Sequence, residues 1–266
     1  MALVATYDPI LSRIQLAVTG ASGTATYLVI DRSLDGFITA DVVRGGSHMP
    51  ISGGVGNLDD YEFPVGVAVT YRARAYNAAD VLTNTFTVVI TQDLDAVWLK
   101  VPAAPFMNRT ITVSRAGDKS RVARRSINGV IGRNAPVAIS DVRLYPTFDL
   151  VLYTFTKEEE ETLDLILGSG EILFIQLPLA NTCMDGGYYS AGDVSWGPPG
   201  RRSSSKRAFT IPLQEVAPPG PDVVGSSYTW ISVVADYATW NAVVAANASW
   251  FDLIQHVGSP SQIVVP

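Results

Sequence analysis

Apolar and polar residues alternate over short runs in the first third of the chain. Within Val67–Tyr76, Tyr71, Ala73 and Ala75 fall on one side and Thr70, Arg72 and Arg74 on the other. This period of two marks a strand with one face covered. Arg13–Thr19, Ala25–Arg32, Phe37–Val43 and Asn84–Thr91 are comparable runs rich in Val, Ile, Thr and Tyr. Turn signals separate them at Asp35-Gly36, Gly45-Gly46, Gly53-Gly54 and Asn77. Five to seven strands at this spacing predict a β-sandwich over residues 1–95.

The pattern changes in residues 96–215. Val137–Val142 and Phe148–Phe155 read as strands joined through Leu144-Tyr-Pro146, and Glu171–Gln176 and Phe209–Glu215 as two more. Between them the period switches: Leu163, Ile166 and Leu167 share one helical face, predicting a helix over 157–167. Thr156 and Glu159 have the spacing of a capping box, the run Glu158–Glu161 suits the positive end of the helix, and Gly168 is the expected left-handed stop. The expectation is a second β-domain, sandwich- or barrel-like, with one flanking helix.

Residues 216–266 differ again. Pro218-Pro-Gly-Pro221 reads as a stiff linker. A ten-residue repeat follows, Thr229-Trp230, Thr239-Trp240 and Ser249-Trp250, each with an aliphatic pair three and four residues beyond the Trp. Ten residues fall about 80° short of whole turns, so one straight helix would spiral the rings around itself. The repeat is better read as short helical turns, each capped by its Thr or Ser. Trp230, Trp240 and Trp250 then need a body or a partner to pack on.

Composition narrows the function. With 47% hydrophobic and 17% charged residues the chain has enough apolar surface to fold. Its most continuous apolar stretch, Ile172–Ala180, is too short and too interrupted to span a bilayer, so no membrane insertion is expected. The start lacks the basic region of a signal peptide, which suggests synthesis in the cytoplasm. A net charge of −6 argues against nucleic acid as a partner.

That charge is uneven. Residues 1–95 hold five basic and ten acidic side chains, net −5, whereas 96–215 hold fourteen basic and twelve acidic, net +2. Many of the cations, Arg121, Arg124, Arg125 and Arg133 among them, fall in the stretch 109–133. It carries no aromatic ring to stack on bases. A solvated loop, or a contact with an acidic neighbouring subunit, is the expected role.

Catalytic signals are missing. His48, His256 and the single Cys183 are not at metal-ligand spacing, so no metal or other cofactor is expected. No nucleophile elbow, dinucleotide fingerprint or phosphate loop occurs. A cell-wall-opening enzyme would require such a set, and the reading is not an enzyme.

Two resemblances add to this. Phe63-Pro-Val-Gly-Val-Ala-Val-Thr70 followed by Tyr71-Arg-Ala-Arg-Ala-Tyr-Asn77 resembles the sixth strand of fibronectin type III domains and its approach. This implies a tyrosine corner at Tyr71, its hydroxyl bonded to backbone upstream. Tyr27–Gly36 is similar to that family's third strand, and Leu16 or Val18 would replace its usual Trp.

Across nearly the full chain, several phrases resemble minor tail proteins of long-tailed bacteriophages infecting actinobacteria. They include Asp8-Pro-Ile-Leu-Ser-Arg-Ile-Gln15, Val43-Arg-Gly-Gly46, Leu58-Asp-Asp-Tyr-Glu-Phe-Pro64 and Val97-Trp-Leu-Lys100. Gly132-Arg133, Ser140-Asp-Val-Arg143, Ala217-Pro-Pro-Gly-Pro-Asp-Val-Val224 and the Thr-Trp decapeptides complete the set. The middle domain also resembles the β-unit of tail-tube and distal-tail proteins. The resemblance implies a structural virion component at the tail tip, assembling as a homo-oligomeric ring, hexamer or trimer, with other phage tail proteins. The alternative is a host cell-surface glycan-binding module, with Tyr61, Phe63 and Tyr76 as candidate rings.

Overall fold

The computed structural model describes residues 2–51, 53–128, 131, 134, 137–181, 184–200, 206–220, 237 and 239–246. The chain is mainly β. It divides into two compact units. The first takes in the chain up to Thr110, with Gln176–Asn181 and the described residues from Pro219 on; the second takes in Ile111–Ile175 and the described residues between 182 and 218.

The first unit holds β1 (Ala2–Asp8), β2 (Arg13–Thr19), β3 (Ala25–Ser33), β4 (Asp41–Val42), β5 (Met49–Pro50), β6 (Gly56–Asp60), β7 (Ala68–Asn77) and β8 (Leu82–Thr91). One sheet has the order β1-β2-β6 and the other β4-β3-β7-β8, with β5 added on β3. All of these pairings are antiparallel. This is the sandwich arrangement that the alternation predicts. Ile14, Leu16 and Val18 from one sheet join Leu28, Ile30, Val69, Tyr71, Ala73 and Ala75 from the other in a single buried cluster. Leu16 and Val18 thus occupy the core as expected.

Three details differ from the sequence reading. Phe37–Val43 is a strand only at Asp41–Val42. Before it, Gly36 and Phe37 both take left-handed φ values of 72° and 70°. The Ser33 hydroxyl accepts from the amides of Asp35 and Phe37, and the Asp35 carboxylate accepts from the Thr39 amide. These local bonds take up amides that a ladder would use. The Tyr71 hydroxyl does not bond to backbone; it donates to the Asp60 carboxylate at 2.8 Å, a stronger acceptor than a peptide oxygen. The runs β1 and β6 were not anticipated. The β6 sequence Gly-Asn-Leu-Asp-Asp has no strand propensity and is recruited by pairing with β2.

The next strands are β9 (Val97–Lys100), β10 (Arg109–Ala116), β11 (Arg125–Asn128), β12 (Val137–Ser140) and β13 (Thr147–Thr154). Helix α1 (Lys157–Gly168), β14 (Leu173–Gln176), β15 (Gly187–Ala191), β16 (Ser195–Gly197) and β17 (Arg207–Glu215) follow. A seven-stranded sheet runs β13-β10-β9-β14-β15-β17-β16, and a further pairing of β13 with β17 closes six of its strands into a barrel. Phe148, Leu150 and Leu152 of β13 face inward with Phe209, Ile211 and Leu213 of β17.

Leu163 and Ile166 of α1 are buried as the periodicity predicts. The Thr156 hydroxyl accepts from the Glu159 amide at 3.1 Å, while Glu159 accepts from Phe155, one residue ahead of the cap. The left-handed glycine is Gly170 at φ 72°, not Gly168, which remains helical.

Near the end, Arg44 donates to the carbonyls of Pro219 and Gly220 at 3.3 and 2.6 Å, fixing the start of the proline segment. A short helix α2 (Trp240–Ala246) follows Thr239, whose hydroxyl accepts from the Ala242 amide at 3.3 Å. This is the capped turn that the decapeptide predicts. The other two repeats, with Trp230 and Trp250, lie outside the described residues, as do Arg133 and Cys183.

Candidate functional site

The basic stretch 109–133 is not one loop. Its first part, β10, belongs to the barrel sheet, and Arg125–Asn128 pairs with Val137–Ser140 as a separate two-stranded hairpin. Backbone bonds from Asp141 to Arg124 and from Leu144 to Val122 continue the ladder toward its root. Sequence reading missed the strand pairing because Arg, Ser and Gly dominate the segment and its partner lies beyond a connection.

Every residue whose burial is described between Asp118 and Tyr145 is exposed. The register places Arg125 and Ile127 on one face of the hairpin, and Arg124 and Ile139 on the other. Ile127 is 53% exposed, Ile139 64% and Val142 80%. A two-stranded ribbon with neither face covered is marginal in water, and exposed aliphatic side chains on a ribbon favour pairing with another surface. Arg121, Arg125 and Arg143 form no ion pair among the described residues. Arg124 lies 3.5 Å from Asp141, both well exposed, a contact of little energetic weight. Lys119 is bonded to Asp185 at the root.

The first unit has the opposite charge balance. All five arginines of residues 1–95 are turned to carboxylates of the same unit: Arg13 to Asp8 and Asp59, Arg32 to Asp60, Arg44 to Glu62, and Arg72 and Arg74 both to Asp31. The other five carboxylates, Asp35, Asp41, Asp80, Asp93 and Asp95, are exposed and form no salt bridge among the described residues. The net −5 of this region is therefore carried on its surface. Asp35 accepts from the Thr39 hydroxyl and amide and from the Ser33 hydroxyl, which bring it down to about 2.

Asp60 is the polar centre of the core. It is 2% exposed and accepts from Arg32, Tyr71 and the Glu62 amide. Lys100 is 1% exposed, and its ammonium donates to the carbonyls of Ser12 at 2.5 Å and Tyr61 at 2.8 Å. Burial lowers it to about 7, against the pull of Asp60 and Glu62. Ser12 sits in a left-handed conformation at φ 48°, its carbonyl aimed at that ammonium.

The candidate rings Tyr61, Phe63 and Tyr76 are not presented together. Phe63 is 1% exposed, Tyr61 accepts from Arg13, and Tyr76 stacks on Tyr27 with centroids 5.2 Å apart. His48 stacks on Tyr27 in turn, so these rings mostly cover one another's faces. In the second unit a concavity of about 700 Å³ is lined by Arg115, Asp118, Thr147, Asp149, Ser190 and Gln214, among others. Among the described residues no group of three His, Cys, Asp or Glu is placed to hold a metal ion, and no helix is long and apolar enough to cross a membrane.

No protein-family model matches the chain, and no curated protein matches it.

Proposed function

We propose that the chain is a structural minor tail protein of a bacteriophage, built into the distal tail through contacts between subunits. The observation that carries this reading is the hairpin of β11 and β12. Its apolar and cationic side chains have no covering surface within the described chain, a condition that an assembly relieves and a solitary molecule does not. The tail-protein phrases in the sequence supply the virion context, and the acidic exterior of the first unit supplies a complementary surface. A hairpin on one subunit meeting a different surface on the next is a heterologous contact, which closes into rings when the rotation permits.

Reversing Arg124 and Arg125 to Glu tests this reading. Incorporation into tails, followed by electron microscopy of particles, is expected to drop at least about tenfold, in line with loss of interfacial charge pairs. The isolated variant should keep the far-UV circular dichroism and melting temperature of the parent, because neither arginine touches the core. Tails that form normally with the doubly reversed chain would count against a role for the hairpin.

A further inference from the structure

We propose that the surface receiving the hairpin is the β4 edge of a second copy of this chain, the segment Leu34–Val42. This deepens the assembly reading above and rests on it. The segment matches the hairpin in both of its surface chemistries. Leu34 is 60% exposed and Ile38 87%, an aliphatic pair beside the exposed carboxylates of Asp35 and Asp41. On one face the hairpin carries Ile127 beside Arg125, with the exposed Arg121 preceding them in the same segment.

β4 is also the terminal strand of its sheet, with β3 as its one neighbour in the order. Only two residues long and flanked by a turn that takes up its own amides, it presents exposed side chains rather than a free backbone ladder, so the contact is one of side chains. The charges available are those left after internal pairing. The arginines of residues 1–95 are already bonded to Asp8, Asp31, Asp59, Asp60 and Glu62. Thr39 and Ser33 hold Asp35 in an orientation fixed by hydrogen bonds, and Asp41 is open. Because donor and receiver are different surfaces, each copy has one of each, and the contact propagates from copy to copy.

A charge swap in the full chain decides it. Variant one carries Arg121→Glu and Arg125→Glu on the hairpin; variant two carries Asp41→Arg on the edge. Sedimentation velocity is expected to show the parent as a multimer and each variant alone shifted toward the monomer. In variant one the hairpin repels the edge at negative charge, and in variant two at positive charge. An equimolar mixture should regain the multimer, since each hairpin then finds an edge of opposite sign on the other variant. Failure of the mixture to associate, or a full-mass multimer from variant one or two alone, overturns the assignment of β4.

A second measurement guards against misfolded variants. In a Cys183→Ser chain, Ile38→Cys with Ile127→Cys, on the Arg125 face, should oxidise to covalent multimers on a non-reducing gel. A crosslink confined within one chain, or none, overturns the proposal. Multimers that survive both failures leave the assembly reading standing with a different receiver; a parent chain that stays monomeric at every concentration removes both.

Discussion

Lys100 shows how much of this protein's polar chemistry serves the fold. Its ammonium lies between the rings of Phe63 and Trp98, with centroids at 5.0 and 5.8 Å, and donates to two carbonyls from distant turns. Its folded value of about 7 lies below the 10.5 of an exposed lysine. Between these values the unfolded chain binds more protons than the folded one, so stability rises with pH across that window. Denaturant titrations from pH 7 to 9.5 should show a positive slope of at most about 1.4 kcal/mol per pH unit, and Lys100→Met should flatten it. An unchanged slope in the variant would assign the effect to another group. Sequence reading could not find this site. In Val-Trp-Leu-Lys the lysine looks like the end of a strand, and the carbonyls that bury it come from Ser12 and Tyr61, 88 and 39 positions away.

At the scale of elements, legibility followed locality. α1 was readable because its cap, its acidic first turn and its apolar stripe all lie within thirteen residues. Thr156→Ala should cost about 1 kcal/mol in global stability by thermal or urea unfolding, leaving the Glu159 amide without its acceptor. Loss of that small increment in a Glu159 variant but not in the Thr156 one would relocate the cap. β2 and β7 were readable from strict alternation, with buried residues at every second position. β6 and β11 were not, because neither has apolar periodicity of its own and both are defined by a partner; β12 was readable as a strand within Val137–Val142, but its pairing with β11 was not. The candidate surface was legible in its residue types and position, Arg121, Arg124 and Arg125 in a basic segment, but not in its form. The hairpin that presents them depends on pairing between two separated segments, Arg125–Asn128 and Val137–Ser140.

For the whole molecule, charge segregation is the organising fact. Residues 1–95 neutralise their arginines internally and leave five carboxylates outside, while the hairpin leaves its guanidinium groups in solvent. Exposed charges of this kind act over about a Debye length, roughly 10 Å at 0.1 M salt. The proposed association between copies should therefore weaken about tenfold or more between about 0.05 and 0.5 M salt, as read by concentration-dependent light scattering. Salt-insensitive association would shift the weight to the aliphatic residues of the hairpin.

The barrel's closure imposes an order on biogenesis. β17 supplies a partner to β13, β15 and β16 at once, and among the described residues it is the last strand of the sheet. A nascent polypeptide released before Arg207 leaves those three ladders without their common neighbour, while the preceding sandwich strands β1 to β8 are already complete. Prematurely terminated chains of this protein would thus emerge half-finished in a specific way: a settled front module trailing raw sheet margins, the kind of product that clumps and is cleared by proteolysis.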